Sequence, residues 1–102
     1  MPRYLDVAAE ANLTAKALIE LVPEDRRDVA AQSIARLVNY GLRCAPRAVQ
    51  STVRLNAVKR AVQGLPVKVE MRQKTDPKTG RTYNVLLTSG VEAEGAAGGD
   101  DE

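Results

Sequence analysis

Positively charged side chains are the residues of this sequence whose type and spacing most clearly suggest a chemistry. Residues 43–81 contain ten lysines and arginines but only two acidic residues, Glu70 and Asp76, which is a formal charge of +8. The whole chain of 102 residues has a formal charge of only +2. Clustered cations attract phosphate groups, and such contacts dominate the affinity of many nucleic-acid-binding proteins. The sequence therefore predicts a small interaction module that binds nucleic acid.

The side chains needed for catalysis are largely missing. There is no histidine, which removes the commonest general base and metal ligand, and Cys44 is the single cysteine. One cysteine without histidine provides neither a nucleophile–base pair nor the spacing of a zinc site. No glycine-rich phosphate loop is present. We therefore expect a protein that is not an enzyme and has no catalytic residue, metal site or cofactor. Cys44 is expected to be a small buried hydrophobe near a helix end.

Length and composition predict one small domain, residues 1–89, followed by a disordered acidic tail, residues 90–102. The sequence has no phenylalanine or tryptophan and only three tyrosines, so the core must consist of small aliphatic side chains. Such a core stabilises a short chain only marginally, so we expect a homodimer or another protein partner, while a monomer stays open. The tail either keeps the protein soluble or competes with nucleic acid for the basic surface.

No apolar run approaches the length of a membrane span, and no charged start leads into an apolar signal core. We therefore expect no membrane partner and a location in the cytoplasm, or in the host cytoplasm if the protein is viral.

Residues 3–22 are alanine-rich and helical in character, and two arrangements fit them. In a single helix, apolar residues recur every four positions and would form the buried stripe. Alternatively, Asn12 breaks the segment into two short helices, with Thr14 as the N-cap of the second. The stripe of the single helix consists of Leu5, Ala9, Leu13, Ala17 and Leu21.

The run D-V-A-A-E-A-N-L-T-A-K-A-L-I-E-L-V, residues 6–22, resembles the helix-turn-helix of the lactose-repressor type, in which D-V-A-x-x-A-G-V-S leads into a recognition helix. The resemblance implies that Asn12 occupies the turn position and Thr14 the capping position, and that Leu18 and Leu21 are buried. The positions that would face the bases are Ala15, Lys16, Ile19 and Glu20. A helix-turn-helix that does not contact DNA and a plain amphipathic helix are the alternatives.

Two further helices are predicted. Pro23 and two acidic residues open one that runs to about residue 42, with a buried stripe of Val29 or Ala30, Ile34, Leu37, Val38 and Gly41 or Leu42. Pro46 opens the next, which ends at Gly64. Its apolar stripe is narrow, and Val49 and Val53 lie on nearly the opposite side. A second apolar side either packs in the core or contacts another chain.

Residues 66–88 predict a β-hairpin, because apolar and polar residues alternate in two segments around a turn at residues 75–80. Val67, Val69 and Met71 are expected inward on the first strand. On the second strand the expected inward residues are Tyr83, Val85 and Leu87. The expected fold is therefore α+β and mainly α: three or four helices, a C-terminal antiparallel β-hairpin and a disordered acidic tail.

The turn D-P-K-T-G-R, residues 76–81, is similar to the N-P-x-T-G-K arm tip of the bacterial histone-like architectural proteins. In that family a proline at the end of a basic ribbon wedges into the minor groove. The resemblance implies a basic arm that reaches toward nucleic acid.

Two functions follow from these observations. The first is a DNA-binding module, either a transcriptional regulator or an architectural factor, with duplex DNA favoured because an inward Tyr83 leaves no aromatic side chain for base stacking. The second is a protein-interaction or structural protein, such as a phage or viral accessory protein, that binds its partner through Val49 and Val53. The predicted phosphate-binding residues are Arg47, Arg54, Lys59, Lys68, Arg72, Lys74, Lys78 and Arg81.

Overall fold

A computed structural model describes residues 4–44 and 49–92 of the chain. Helices come first and a small antiparallel sheet follows, in the order α1, α2, α3, β1, β2, β3, with a 3-10 turn at Glu24–Arg26. The predicted α+β arrangement of helices and a C-terminal hairpin is confirmed. The elements are α1 Tyr4–Ile19, α2 Arg27–Arg43, α3 Ser51–Ala61, β1 Val69–Thr75, β2 Thr82–Thr88 and β3 Val91–Glu92.

Helix α1 is continuous from Tyr4 to Ile19, so of the two arrangements that the sequence left open the single helix is observed. Its buried face consists of Ala8, Asn12, Ala15 and Ile19. The predicted leucine stripe is therefore wrong, because Leu13 is 65% exposed and Leu21 is 81% exposed. Small residues occupy the buried face because α1 packs on α3 through Ala8, Ala57 and Ala61, where larger side chains would hold the helices apart.

The positions implied by the lactose-repressor resemblance are also reversed. Ala15 and Ile19, which the resemblance implies to face the bases, are buried. Leu18 and Leu21, which it implies to be buried, are 51% and 81% exposed. Lys16 and Glu20 are exposed as implied. Asn12 lies within the helix and not at a turn.

Asn12 joins α1 to the end of α3. Its side chain is 2% exposed, and Nδ2 donates hydrogen bonds to the carbonyl oxygens of Ala61 at 2.9 Å and Gln63 at 3.0 Å. These carbonyls belong to the last turn of α3 and the segment after it, where a helix leaves acceptors without internal partners. Gly64 then turns the chain with a φ of 86°, a conformation that favours glycine.

Helix α2 begins after Pro23 and the 3-10 turn, close to the predicted start, and ends at Arg43. Ala31, Ala35 and Asn39 are its buried residues. Two members of the predicted stripe lie outside the core, because Val29 is 62% exposed and Leu37 is 71% exposed. The inward face is again lined by small residues, flanked by half-buried Ala30, Ile34, Val38 and Leu42.

Helix α3 is shorter than predicted. Gln50 is its N-cap, with an extended ψ of 146°, and the helix ends at Ala61 and not at Gly64. Pro46, the predicted first residue, lies outside the described residues. The buried stripe consists of Arg54, Ala57, Val58 and Ala61.

Strands β1 and β2 form the predicted hairpin in a register that pairs Val69 with Thr88 and Thr75 with Thr82. Opposite residues of an antiparallel pair point to the same face. Leu86 therefore lies on the face of Val69 and Met71, which packs on the helices. The prediction that Tyr83, Val85 and Leu87 point toward the helices is wrong. They lie on the opposite face of the sheet from Leu86, although Val85 and Leu87 are buried.

A third strand extends the sheet beyond the predicted hairpin. Ser89 and Gly90 both have positive φ angles, 51° and 85°, as in the two-residue turns that suit the twist of hairpins. Val91–Glu92 then pairs with β2. The tail predicted from residue 90 therefore begins with ordered residues, and residues 93–102 lie outside the described part of the chain.

No helix within residues 4–44 and 49–92 is both long enough and apolar enough to cross a membrane.

Candidate nucleic-acid interface

The hairpin presents one face on which most of its cations lie. The register places Arg72 opposite Val85 and Lys74 opposite Tyr83, so all four residues share the face opposite to that of Val69, Met71 and Leu86. Val85 and Leu87 are buried on this face, so it is open to solvent only in part. Arg72 is exposed and Lys74 is half-buried. Glu70, opposite Leu87, is the acidic member from β1. We call this surface, made by Glu70, Arg72, Lys74, Tyr83, Val85 and Leu87, the basic face.

Tyr83 is the principal correction that the structure makes to this site. Its side chain was expected to point inward, but it is 48% exposed and lies on the basic face. Directly opposite side chains have Cβ atoms roughly 5 Å apart, which places the phenol ring beside the stem of Lys74. The site therefore combines positive charge with an accessible aromatic ring, which no residue pattern had indicated.

A network of local hydrogen bonds holds the hairpin tip. The carboxylate Oδ1 of Asp76 accepts a hydrogen bond from the backbone N–H of Lys78 at 2.9 Å, and Thr79 Oγ1 accepts one from the N–H of Arg81 at 3.2 Å. The carbonyl oxygen of Asp76 accepts a further bond from the N–H of Gly80 at 2.8 Å. Gly80 has a φ of 73°, as its place in the predicted turn requires. The tip is therefore a defined platform on which Lys78 and Arg81 are exposed.

The structure brings together five of the eight predicted phosphate-binding residues. Lys68 immediately precedes β1, where it is exposed, and it is joined to the turn after β2 by a 2.6 Å bond from the Ser89 N–H to its carbonyl oxygen. Lys59 is exposed on α3 and is not part of the hairpin. Arg47 lies outside the described residues. The five hairpin residues are Lys68, Arg72, Lys74, Lys78 and Arg81.

Arg54 is not available to phosphate as predicted. It is 8% exposed and lies on the buried stripe of α3, where its Nε has no hydrogen-bond partner among the described residues. Its spacing of three and four residues from Ala57 and Val58 was the signal in the sequence, because residues at this spacing share one helix face. Since a buried cation cannot reach a ligand, the prediction for Arg54 is wrong.

The predicted partner-binding pair is only partly accessible, and its role stays a prediction. Val49 is half-buried and precedes α3, whereas Val53 lies on the helix and is 36% exposed. The large exposed apolar side chains lie mainly on α1 and α2 instead. They are Val7, Leu13, Leu18, Leu21, Val29, Leu37 and Tyr40, each more than half exposed.

Cys44 is exposed just after α2, so the expectation that it would be buried is wrong. Within residues 4–44 and 49–92, no three histidine, cysteine, aspartate or glutamate residues are grouped so as to hold a metal ion.

No family model matches this chain, and no curated protein or solved structure shows significant similarity to it.

Proposed function

We propose that this protein is a small nucleic-acid-binding module whose contact surface is the basic face and tip of the β-hairpin. The observation that carries the proposal is the pairing of Lys74 with exposed Tyr83 and of Arg72 with Val85 on one face. Lys68 at one end of the hairpin and Lys78 and Arg81 at its tip extend this positively charged surface along the strands. The proposal keeps the predicted hairpin residues and omits Arg54.

The shape of the hairpin favours a duplex as the ligand. The major groove of B-DNA admits a two-stranded β-ribbon, and a ribbon edged with cations contacts phosphates along both walls. Pro77 is exposed at the tip, the place where minor-groove binders insert an apolar wedge. The tip also carries exposed Lys78 and Arg81, which supply charge next to that proline. A DNA-binding regulator or architectural factor is the class that uses such a ribbon.

Fluorescence anisotropy tests this proposal directly. Labelled duplex DNA, the matching single strand and duplex RNA are titrated with the full chain and with a chain that ends at Glu92, which keeps β3. Arg72→Ala and Lys78→Ala should each weaken binding and lower the slope of log affinity against log salt by about one unit. Arg26→Ala removes one exposed charge from the 3-10 turn before α2 and serves as the matched control.

Two results would overturn the proposal. One is the absence of binding at low salt by both the full chain and the chain ending at Glu92. The other is an equal loss of affinity in Arg26→Ala and Arg72→Ala, which would mean that only net charge matters.

A protein-interaction function is the second candidate, and one observation favours it. Six large apolar side chains on α1 and α2, and Leu21 just after α1, are more than half exposed. Large exposed apolar patches mark sites of protein interaction, among other contacts. These side chains on and beside α1 and α2 are therefore a second candidate contact surface, besides the predicted pair of Val49 and Val53.

A further inference from the structure

The third strand covers only a small part of the outer edge of β2. β3 is two residues long and pairs with Leu87 and Thr88 of the seven residues in β2. Within residues 4–44 and 49–92, no strand lies beside Thr82–Val85 on that side. A strand edge without a neighbour presents backbone N–H and C=O groups with which a further extended segment can pair. One more stretch of chain can therefore be added along this edge.

The basic face is closed at the end of the sheet near β3 and open toward the hairpin tip. Leu87 and Val85 are 2% and 5% exposed, whereas Tyr83, the next residue of β2 on this face, is 48% exposed. Lys78 and Arg81 are exposed at the tip. The open part of the face is therefore the part that lies next to the cations of the tip.

The residues that follow β3 carry the opposite charge. Residues 93–102 contain four acidic residues and no lysine or arginine, which is a formal charge of −4. β3 runs antiparallel to β2, so the chain leaves it in the direction of the hairpin tip. We call residues 93–102 the acidic segment. Its acidic residues are Glu94, Asp100, Asp101 and Glu102.

The register of β3 determines where a continued strand would bring the first of these carboxylates. Glu92, the last residue of β3, lies opposite Leu87, and each further residue meets the residue one position earlier in β2. Glu94 then falls opposite Val85, in the same row of the sheet as Arg72. Opposite residues of an antiparallel pair point to the same face, which here is the basic face. Neighbouring strands are roughly 5 Å apart, so the long side chains of glutamate and arginine can meet across the small valine.

The spacing within the acidic segment brings its other carboxylates to the tip. In the same register Ala97 falls opposite Thr82, where β2 begins, and Arg81 precedes that residue. Two glycines follow Ala97 and allow the chain to turn freely. The acidic run 100–102 begins three residues beyond Ala97, and three extended residues span roughly 10 Å. These carboxylates are therefore within reach of the cations at the tip.

We infer that the acidic segment continues β3 along β2 and closes the basic face, with Glu94 against Arg72 and the acidic run 100–102 against the tip. This regulation rests on the proposed function of the hairpin, because the acidic segment competes with nucleic acid for the same cations. Alanine and glycine form strands poorly, so the added strand is weakly held and phosphate groups displace it.

Disulfide trapping tests the register without any nucleic acid. In the full chain with Cys44→Ser, the changes Thr82→Cys and Ala97→Cys place two thiols directly opposite each other, at a Cα separation that a disulfide accepts. Thr82→Cys with Ala96→Cys is the matched control, because neighbouring residues of a strand point to opposite faces. Under mild oxidation the first pair should link at least tenfold faster than the second, as followed by mass spectrometry of the monomer.

Fluorescence anisotropy with labelled duplex DNA at low salt measures the competition. The chain that ends at Glu92 should bind about tenfold more tightly than the full chain, because several exposed ion pairs are lost that each contribute little. Glu94→Gly combined with Gly95→Glu keeps the net charge and moves one carboxylate to the other face of the sheet. This exchanged variant should bind about threefold more tightly than the wild type.

Equal affinities of the exchanged variant and the wild type would contradict the inference, because only net charge would then matter. Equal rates of linkage in the two disulfide pairs would contradict it as well, because the acidic segment would then have no fixed register on β2. If neither the full chain nor the chain ending at Glu92 binds DNA, the proposed function fails and the competition fails with it. Equal binding by both chains removes the competition alone and leaves the proposed function in place.

Discussion

The hairpin and the packed helices are held together in different ways. Seven consecutive residue pairs join β1 to β2, so no one pair is indispensable. Helices α1 and α3 meet through alanines, and one side chain, that of Asn12, supplies the polar link between them. The hairpin is therefore held by many backbone pairs, whereas α1 and α3 are held by alanine packing and the two hydrogen bonds of Asn12.

The hairpin and the packed helices also differ in the surface that each presents to solvent. The hairpin offers cations around one aromatic ring, and the helices expose several large apolar side chains. Attraction between a cation and phosphate is screened by salt, whereas burial of apolar surface is not. Two adjacent regions of one short chain should therefore respond to the same change in solvent in different ways.

The largest expected effect concerns the support of the helices. Asn12→Ala removes both hydrogen bonds and leaves the carbonyl oxygens of Ala61 and Gln63 without their donor. Unfolding free energy should fall by about 3 kcal/mol, as measured by urea denaturation. Thr14→Ala, at an exposed position of the same helix, is the control and should change it by less than about 0.5 kcal/mol. Equal losses in the two variants would contradict the special role of Asn12.

Salt should separate the two surfaces next. Between about 50 and 200 mM salt, affinity for duplex DNA should fall roughly a hundredfold, because four or five phosphate contacts release counterions. The free energy of unfolding, measured by urea denaturation at the same two salt concentrations, should change by less than about 1 kcal/mol because apolar burial dominates it. Parallel losses in both measurements would mean that the two surfaces do not differ as described.

The smallest expected effect concerns Tyr83. Tyr83→Ala should lower affinity for single-stranded DNA by about tenfold, since stacking on an aromatic ring contributes on the order of 1–3 kcal/mol per base. Tyr83→Phe keeps the ring and should retain nearly all of that affinity. Anisotropy with the single strand measures both. If the phenylalanine variant loses as much as the alanine variant, the hydroxyl matters and stacking does not.

Element types were predictable because their signals are local. The turn at residues 75–80 combines proline with a glycine that adopts positive φ, and Pro23 marks the start of the next helical segment. The facing of β2 was less accessible. Tyr83, Val85 and Leu87 form the wholly apolar alternating set, whereas the set on the face of Val69 has Leu86 between Asn84 and Thr88. Alternation alone therefore favours the wrong set, and only the pairing of Val69 with Thr88 decides which set meets the helices.

The helix faces were mispredicted for a related reason. Leucine spacing on α1 suggests a buried stripe, yet close packing against α3 selects Ala8 and Asn12 for the interior and leaves Leu13 and Leu18 outside. The sequence of one helix does not reveal how closely its neighbour approaches. Arg54 was misassigned similarly, since its charge was weighed more heavily than its place on the stripe of α3.

The two hydrogen bonds of Asn12 also bear on the order in which the helices can pack during synthesis. Their two acceptors lie 49 and 51 residues further along the chain, so the contact is among the least local in the molecule. When α1 leaves the ribosome, nothing yet exists for its alanine face to dock on, and α3 must emerge before that face is covered. A nascent chain therefore exposes the alanine face of α1 until the segment that ends at Gln63 has emerged.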